Sequence, residues 1–351
     1  MSRGGKIRAR KTLSFLAAAL CLALPTVAPL SASASQQTLL SEAKQVSVKT
    51  KPISRFQIGR DRIAFGPLTF LGGLELISSD RNVGGLSGLL SLDQGSRILA
   101  ITDNGLWFAA SLEQDETGRP LGISNARYTP LLGTKGETLR QSWRHDTEAV
   151  TIDGDSLLVS AEQYNGIFRF PWPLTTGKEH MLEELEVSQQ IKSLRGSKGL
   201  EAMIMAPEGT PLAGTLVAIA ERGAEGQSDI PAFLVTDDKY ETFSIIRSQR
   251  YDVTDAAFLP GGDLLVLERR FNLRDLVGMR MRRFKSSEIK PGARLSGAVL
   301  MEADYGYQID NMEGLAVHEN DSGDTIVTLL SDNNRSILQR TLLLRFRLSN
   351  H

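Results

Sequence analysis

The stretch from Asn311 to Asn334 reads NMEGLAVHENDSGDTIVTLLSDNN. A short apolar run, Leu315 to Val317, follows Glu313, and a turn of Asn, Asp, Ser and Gly leads into a second apolar run, Thr325 to Leu330. That run stops at Ser331-Asp332-Asn333-Asn334. Two apolar runs about a Gly/Asp turn form an antiparallel hairpin. Both runs are nearly continuous rather than alternating, the pattern of strands buried on both faces. One carboxylate stands where the first strand begins and another where the second ends.

The same hairpin occurs five times. The other copies are GGLSGLLSLDQGSRILAITDNG from Gly84, DTEAVTIDGDSLLVSAEQ from Asp146, KGLEAMIMAPEGTPLAGTLVAIAERG from Lys198 and VTDAAFLPGGDLLVLERR from Val253. Aligned on Ser87, Glu148, Glu201, Asp255 and Glu313, they recur at 61, 53, 54 and 58 residues. Two further strand-like runs separate most copies: GIFRFPW and LEVSQQI, PAFLVT and FSIIRSQ, MRMRRFK and GAVLMEA. Four antiparallel strands per unit of about fifty residues predict an all-β protein, a β-propeller. The fifth unit supplies three strands, ending at LLLRFRL, and its fourth is expected from LTFLGGLELIS near the N-terminus. The ring would then close with strands from both ends, leaving no open edge. Five blades are expected, with a sixth, irregular blade built from residues 35–80 as the alternative. The helical signal is confined to TGKEHMLEELEV. MRMRRF, basic at alternate positions, reads as an exposed outer strand.

Residues 1–34 read as a secretory signal peptide. A basic segment (Arg3, Lys6, Arg8, Arg10, Lys11) precedes an apolar run, Leu13 to Leu24, too short to span a bilayer, and Ala32-Ser33-Ala34 is a small-residue cleavage site. The expected organisation is a signal at 1–34, a polar leader at 35–60 and the propeller at 61–351, in a periplasmic or secreted protein with no membrane span after cleavage. Removing five basic residues from 40 leaves 35 against 41 acidic, a net charge of −6. Such a chain is a poor lure for nucleic acid or anionic membrane. The only cysteine, Cys21, lies in the signal, so the mature chain has no disulfide and no thiolate metal site.

Antiparallel strands place the start of each first strand and the end of each second strand at the same mouth of the channel. The starts are Ser87, Glu148, Glu201, Asp255 and Glu313, and the ends are Asp103, Glu162, Glu221, Glu268 and Asp332. Nine of these ten are carboxylates, which cannot all stay ionised in one funnel without counter-charge. Hard cations such as calcium take six to eight oxygen ligands and suit this set; arginines from neighbouring blades are the other solution. The four histidines, at 145, 180, 318 and 351, lack metal-site spacing, and only His145, beside Asp146 and Glu148, is a candidate. Gly85-Leu86-Ser87-Gly88 does not make a serine-hydrolase elbow.

DTEAVTIDGDSLLVSAEQ, KGLEAM, NMEGLAV and LLSDNN resemble the bacterial phytase-like domain family, described by an esterase-like activity of phytase. The resemblance covers roughly residues 60–348 and matches the family's repeated acids at Glu148, Glu162, Glu201, Glu221, Glu313 and Asp332. It implies phosphoester hydrolysis with a small phosphorylated substrate. On that reading the ring of Asp103, Glu148, Glu162, Glu201, Glu221, Asp255, Glu268, Glu313 and Asp332 holds calcium, and Arg222 and Arg269 clamp phosphate oxygens. Glu148 or Glu201 would act as general base, with His145 as a further catalytic candidate. The alternatives are a non-catalytic, calcium-stabilised propeller that binds a ligand or partner, and a hydrolase of organic esters or lactones using the same site.

Overall fold

A computed structural model describes residues 38–194, 199–237, 239–272 and 276–349. The signal segment, Lys198 and His351 lie outside them. Five antiparallel sheets follow one another along the chain, and their innermost strands, Leu86–Leu92, Thr147–Asp153, Leu200–Met205, Asp252–Phe258 and Asn311–Glu319, neighbour one another in a closed ring. The protein is a five-bladed β-propeller, and no sixth blade forms among the described residues. In blade five, strand Thr341–Leu348 pairs with Leu68–Ile77, so the N-terminal strand closes the ring as the sequence predicts. The segment at 35–60 contributes edge strands to two blades. Lys44–Gln45 pairs with Pro120–Pro130 of blade one, and Lys49–Ile53 pairs with Leu68–Ile77 of blade five.

Each of the five apolar clusters fills the space between two adjacent blades. Leu264 and Val266 pack toward blade three, with Val217 and Ile219, whereas Leu265 and Leu267 of the same strand pack toward blade five, with Val327 and Leu329. Alternate side chains of one strand thus serve two different interfaces. That is why the strands read as continuous rather than alternating apolar runs.

Two local readings are corrected. TGKEHMLEELEV is not helical: it forms a turn and then strand Glu183–Leu185, the outer strand of blade two. The helical turn comes after it, at Gln189–Lys192, capped by Ser188. MRMRRF lies in strand Leu276–Phe284, but Arg280 and Arg282 are buried rather than exposed. Both guanidiniums reach the buried carboxylate of Glu268, which explains how two cations sit inside a sheet.

Candidate metal centre

Each innermost strand carries a β-bulge near its start, shown by register shifts at Ser87/Leu89, Leu200/Ala202, Val253/Asp255 and Met312/Gly314 and, in blade two, between Thr147 and Val150, which stand opposite Ala161 and Val159. A bulge puts two residues opposite one and re-aims a side chain that regular alternation would direct elsewhere. The residue after each acid position is small: Gly88, Ala149, Ala202, Ala256 and Gly314. The reason is the crowding of five strands about one axis. A Cβ on Gly88 would lie 2.9 Å from the backbone of both Glu148 and Val150, and one on Gly314 would lie 3.0 Å from the Leu89 Cβ.

The bulged starts and second-strand ends enclose a cavity of about 170 Å³. Eight carboxylates line it: Asp103, Asp146, Glu148, Glu162, Glu201, Glu221, Glu313 and Asp332. Arg269 is the one cation among the lining residues. Three acids have arginine partners. Arg335 Nη1 donates to Asp103 at 2.8 Å, Arg222 Nε lies 3.2 Å from Glu221, and Arg269 Nε lies 3.3 Å from Glu313. Asp332 accepts from the Gly85 N–H at 2.6 Å across the closing seam. Among the described residues, Asp146, Glu148, Glu162 and Glu201 form no ion pair. Glu148 instead accepts from the Ser87 hydroxyl at 2.6 Å, so the serine that replaces the acid in blade one serves its neighbour's acid.

Five of these acids form two groups that share Glu162; four of the five are unpaired, and Glu221 keeps its arginine partner. Oxygens of Asp146, Glu148 and Glu162 lie within 4.8 Å of one another, as do those of Glu162, Glu201 and Glu221. Two oxygens held by one calcium at about 2.4 Å can be at most about 4.8 Å apart. Both triads lie within that limit, so each could share one cation. The donor set is all oxygen, with neither sulfur nor imidazole lining the cavity.

Protons are the alternative counter-charge. Burial pushes the Glu162 carboxyl up to about 7, and the charge of Asp146 adds to this. Glu313 is also pushed up to about 7 by burial, against the opposing pull of Arg269, and Asp332 to about 6. Glu148 and Glu201 are driven well above the usual carboxylate range, first by burial and then by neighbouring acids. Burial alone would lower the Arg269 pKa, but Glu313, Glu201, Glu221 and Glu148 outweigh it and keep the guanidinium charged.

Blade four departs from the pattern. Strand Leu264–Asn272 runs on past Glu268, which stays in the ladder directly opposite Arg280. Its carboxylate takes 2.7 Å and 2.8 Å contacts from the Nε atoms of Arg280 and Arg282 and does not line the cavity. The next residue, Arg269, lines the cavity instead. Asp255 accepts from the N–H groups of Ala256 at 2.8 Å and Leu315 at 2.7 Å, tying blade four to blade five, and it too does not line the cavity. His145 is half-buried beside Gly105 and Arg222 stands behind Glu221; neither lines the cavity. Asp146, absent from the expected ring, does line it. Its signal was available, since it stands two residues before Glu148 in the same hairpin.

A family model for the phytase-like family, described as "Esterase-like activity of phytase", matches residues 81–335, more than half of the chain. The chain belongs to the phytase-like family. No curated protein matches its sequence. Among solved structures, this phytase-like chain is similar to a Myxococcus xanthus glutaminyl cyclase, with 13% identity, a TM-score of 0.40 and coverage of 76% of this chain and 92% of that one. It is also similar to a luciferin-regenerating enzyme, at 10% identity, a TM-score of 0.41 and coverage of 76% and 95%. Such distant likenesses carry nothing about the chemistry of the phytase-like site. Among the described residues no helix is long and apolar enough to cross a membrane.

Proposed function

We propose that this phytase-like propeller is an exported, calcium-dependent hydrolase of phosphate esters. The observation that carries this reading is the pair of carboxylate triads sharing Glu162, whose oxygens converge within reach of one cation each and of which only Glu221 has an arginine partner. Asp146, Glu148, Glu162, Glu201 and Glu221 would hold the cations. Bound calcium would neutralise phosphate oxygens and make a nearby water more acidic. Export rests on the basic, apolar and Ala-Ser-Ala pattern of residues 1–34.

The chain's own residues divide the remaining work. Arg269 brings a permanent positive charge to the cavity, suited to an anionic group at the rim. Glu313 and Asn311 fix that guanidinium: Nη1 donates to the Asn311 Oδ1 at 2.8 Å, and Asn311 Nδ2 donates to Glu313 at 2.6 Å. Ser87 donates to Glu148 at 2.6 Å and so orients it at the wall of the first triad. A cavity of about 170 Å³ is small beside ordinary ligand pockets, so the ester meets the site at its mouth and the rest of the substrate lies outside. A groove of about 640 Å³ at the seam of blades five and one, lined in part by Arg81, Arg335 and Arg340, adjoins that mouth through the Arg335–Asp103 pair.

The test is a hydrolysis screen over phosphomonoesters, phosphodiesters and carboxylic esters, with calcium and with chelator. Calcium-dependent phosphate release is expected. Calcium binding without hydrolysis of any ester would leave the non-catalytic propeller as the correct reading, and hydrolysis of carboxylic esters alone would leave the organic-ester hydrolase.

A further inference from the structure

Large apolar side chains exposed on this protein are not scattered evenly. The five most exposed are Ile337 at 100%, Leu338 at 88%, Trp143 at 84%, Phe271 at 74% and Tyr305 at 65%. All five belong to the same face. Ile337 and Leu338 follow the second-strand end at Asp332, and Phe271 lies near the corresponding end of strand Leu264–Asn272. Trp143 and Tyr305 lie in the connections that lead to the strand starts at Thr147 and Asn311. Antiparallel topology puts each of these at the mouth that holds the carboxylate cavity. At the opposite mouth, four of the five inner hairpin turns, at 93–96, 154–155, 260–263 and 320–324, consist of Asp, Asn, Gln, Ser, Gly and Pro; the fifth, at 206–215, carries Leu212, and the apolar side chains exposed on that side, such as Ile63 at 57% and Leu121 at 56%, are less exposed than the five tips.

Three of the apolar tips are flanked by arginine. The segments are Arg140-Gln141-Ser142-Trp143-Arg144, Arg269-Arg270-Phe271 and Arg335-Ser336-Ile337-Leu338-Gln339-Arg340. None of them contains an acid. Arg81, Arg140 and Arg250, on the same face, are exposed and form no ion pair among the described residues. Apolar and aromatic tips with arginines beside them match the bilayer interface, where rings and aliphatic chains enter the headgroup boundary and guanidiniums meet lipid phosphates. The acids on this face are not all in the cavity: Asp80, Asp252 and Asp310 pair with Lys44, Arg247 and Arg340, while Glu225 and Asp304 are exposed, so the attraction to lipid phosphates is local to the arginine-flanked tips.

We propose that the cavity face docks on the surface of a phospholipid bilayer, with Trp143, Phe271, Ile337 and Leu338 entering the headgroup region. Docking stands on these loops alone and is independent of any chemistry in the cavity. It would place headgroup phosphates at the cavity mouth, a consequence that rests on the hydrolase reading.

The experiment is flotation of the purified protein with vesicles of phosphatidylcholine, and of phosphatidylcholine mixed with phosphatidylglycerol, combined with tryptophan fluorescence. Trp107 is buried and Trp172 partly buried, so a shift on vesicle binding reports Trp143. The expected result is binding that is stronger to the anionic vesicles, with a blue shift that vanishes in Trp143→Phe. The double variant Ile337→Ser, Leu338→Ser should bind about tenfold or more weakly, since each tip side chain buries apolar surface. Replacing Arg81, Arg140 and Arg250 by Gln should reduce binding to the anionic vesicles and leave the weaker neutral binding unchanged. Absence of flotation with unchanged emission would overturn the proposal. So would a concentration-dependent dimer, without vesicle binding, that the Ile337→Ser, Leu338→Ser variant abolishes; the face would then be a contact between two copies.

Discussion

Replacing Glu162 by Gln should stabilise the cation-free protein at alkaline pH. Glu162 belongs to both triads and forms no ion pair among the described residues, the charge of Arg269 acting on it only from a distance. Its carboxyl is raised from 4.5 to about 7, with burial the first cause. A folded-state pKa above the unfolded value means that folding favours the protonated form. The associated stability is present below about pH 4.5 and lost as pH rises through about 7. Complete ionisation therefore costs up to about 3 kcal/mol. Gln keeps the shape and the acceptor for the Gly199 N–H, now at 3.3 Å, but cannot ionise. In chelator at pH 8 the variant should gain about 1–3 kcal/mol over wild type, and at pH 4.5 the two should melt together. With about 2.1 cal/mol/K of unfolding entropy per residue over roughly 300 residues, the gain corresponds to about 2–5 °C. Melts by circular dichroism in chelator at the two pH values measure it. A variant that melts earlier than wild type at pH 8 would refute the reasoning, because Glu162 would then be a partner in a structural ion pair.

The companion variants should behave differently. Glu313→Gln also removes a carboxyl raised to about 7 but leaves Arg269 with only Asn311 and a 3.9 Å contact to Glu221, so in chelator at pH 8 it should gain less than Glu162→Gln, read from the same melts. Glu268→Gln removes the carboxylate shared by the buried Arg280 and Arg282, leaving Arg280 a 3.9 Å contact to Glu302, and should cost about 3–5 kcal/mol, equally with calcium and with chelator; a calcium-dependent loss would return Glu268 to the cation site. Gly88→Ala drives a Cβ to 2.9 Å from the backbone of blade two and should cost about 1–3 kcal/mol in urea unfolding, with weaker calcium binding as the mouth is forced open.

The blades and the mouth were legible because the hairpin repeat is long, recurs five times and ties each acid to a strand end. The closing strand was legible because blade five lacked one. Blade four's role was harder to read. Glu268 and Asp255 occupy the right places in the repeat, but where Glu268 goes depends on how far its strand extends and on what stands across the ladder. The relevant signal lay in the neighbouring strand, where Arg280 and Arg282 are two apart and so share a face. Two cations on one face of a strand bearing Met279 and Met281 on the other require a buried acid nearby, and Glu268 is that acid. Asp255 is one methylene shorter than Glu, and its carboxylate stays with the backbone N–H groups of Ala256 and Leu315. The bulges had no sequence marker of their own, although the small residue after every acid position reflects the same crowding.

The central claim is that the unpaired acids at the mouth form a calcium site. Calorimetric titration of the chelator-stripped protein with calcium chloride at pH 7, in two buffers of different ionisation enthalpy, tests it directly. Ligands that hold protons near neutrality must release them to a cation, so the apparent heat should differ between the buffers. The account predicts saturable binding with proton release, greatly weakened in Glu162→Gln, the residue common to both triads. No saturable heat, or a Glu162→Gln variant that binds calcium as wild type does, would contradict it.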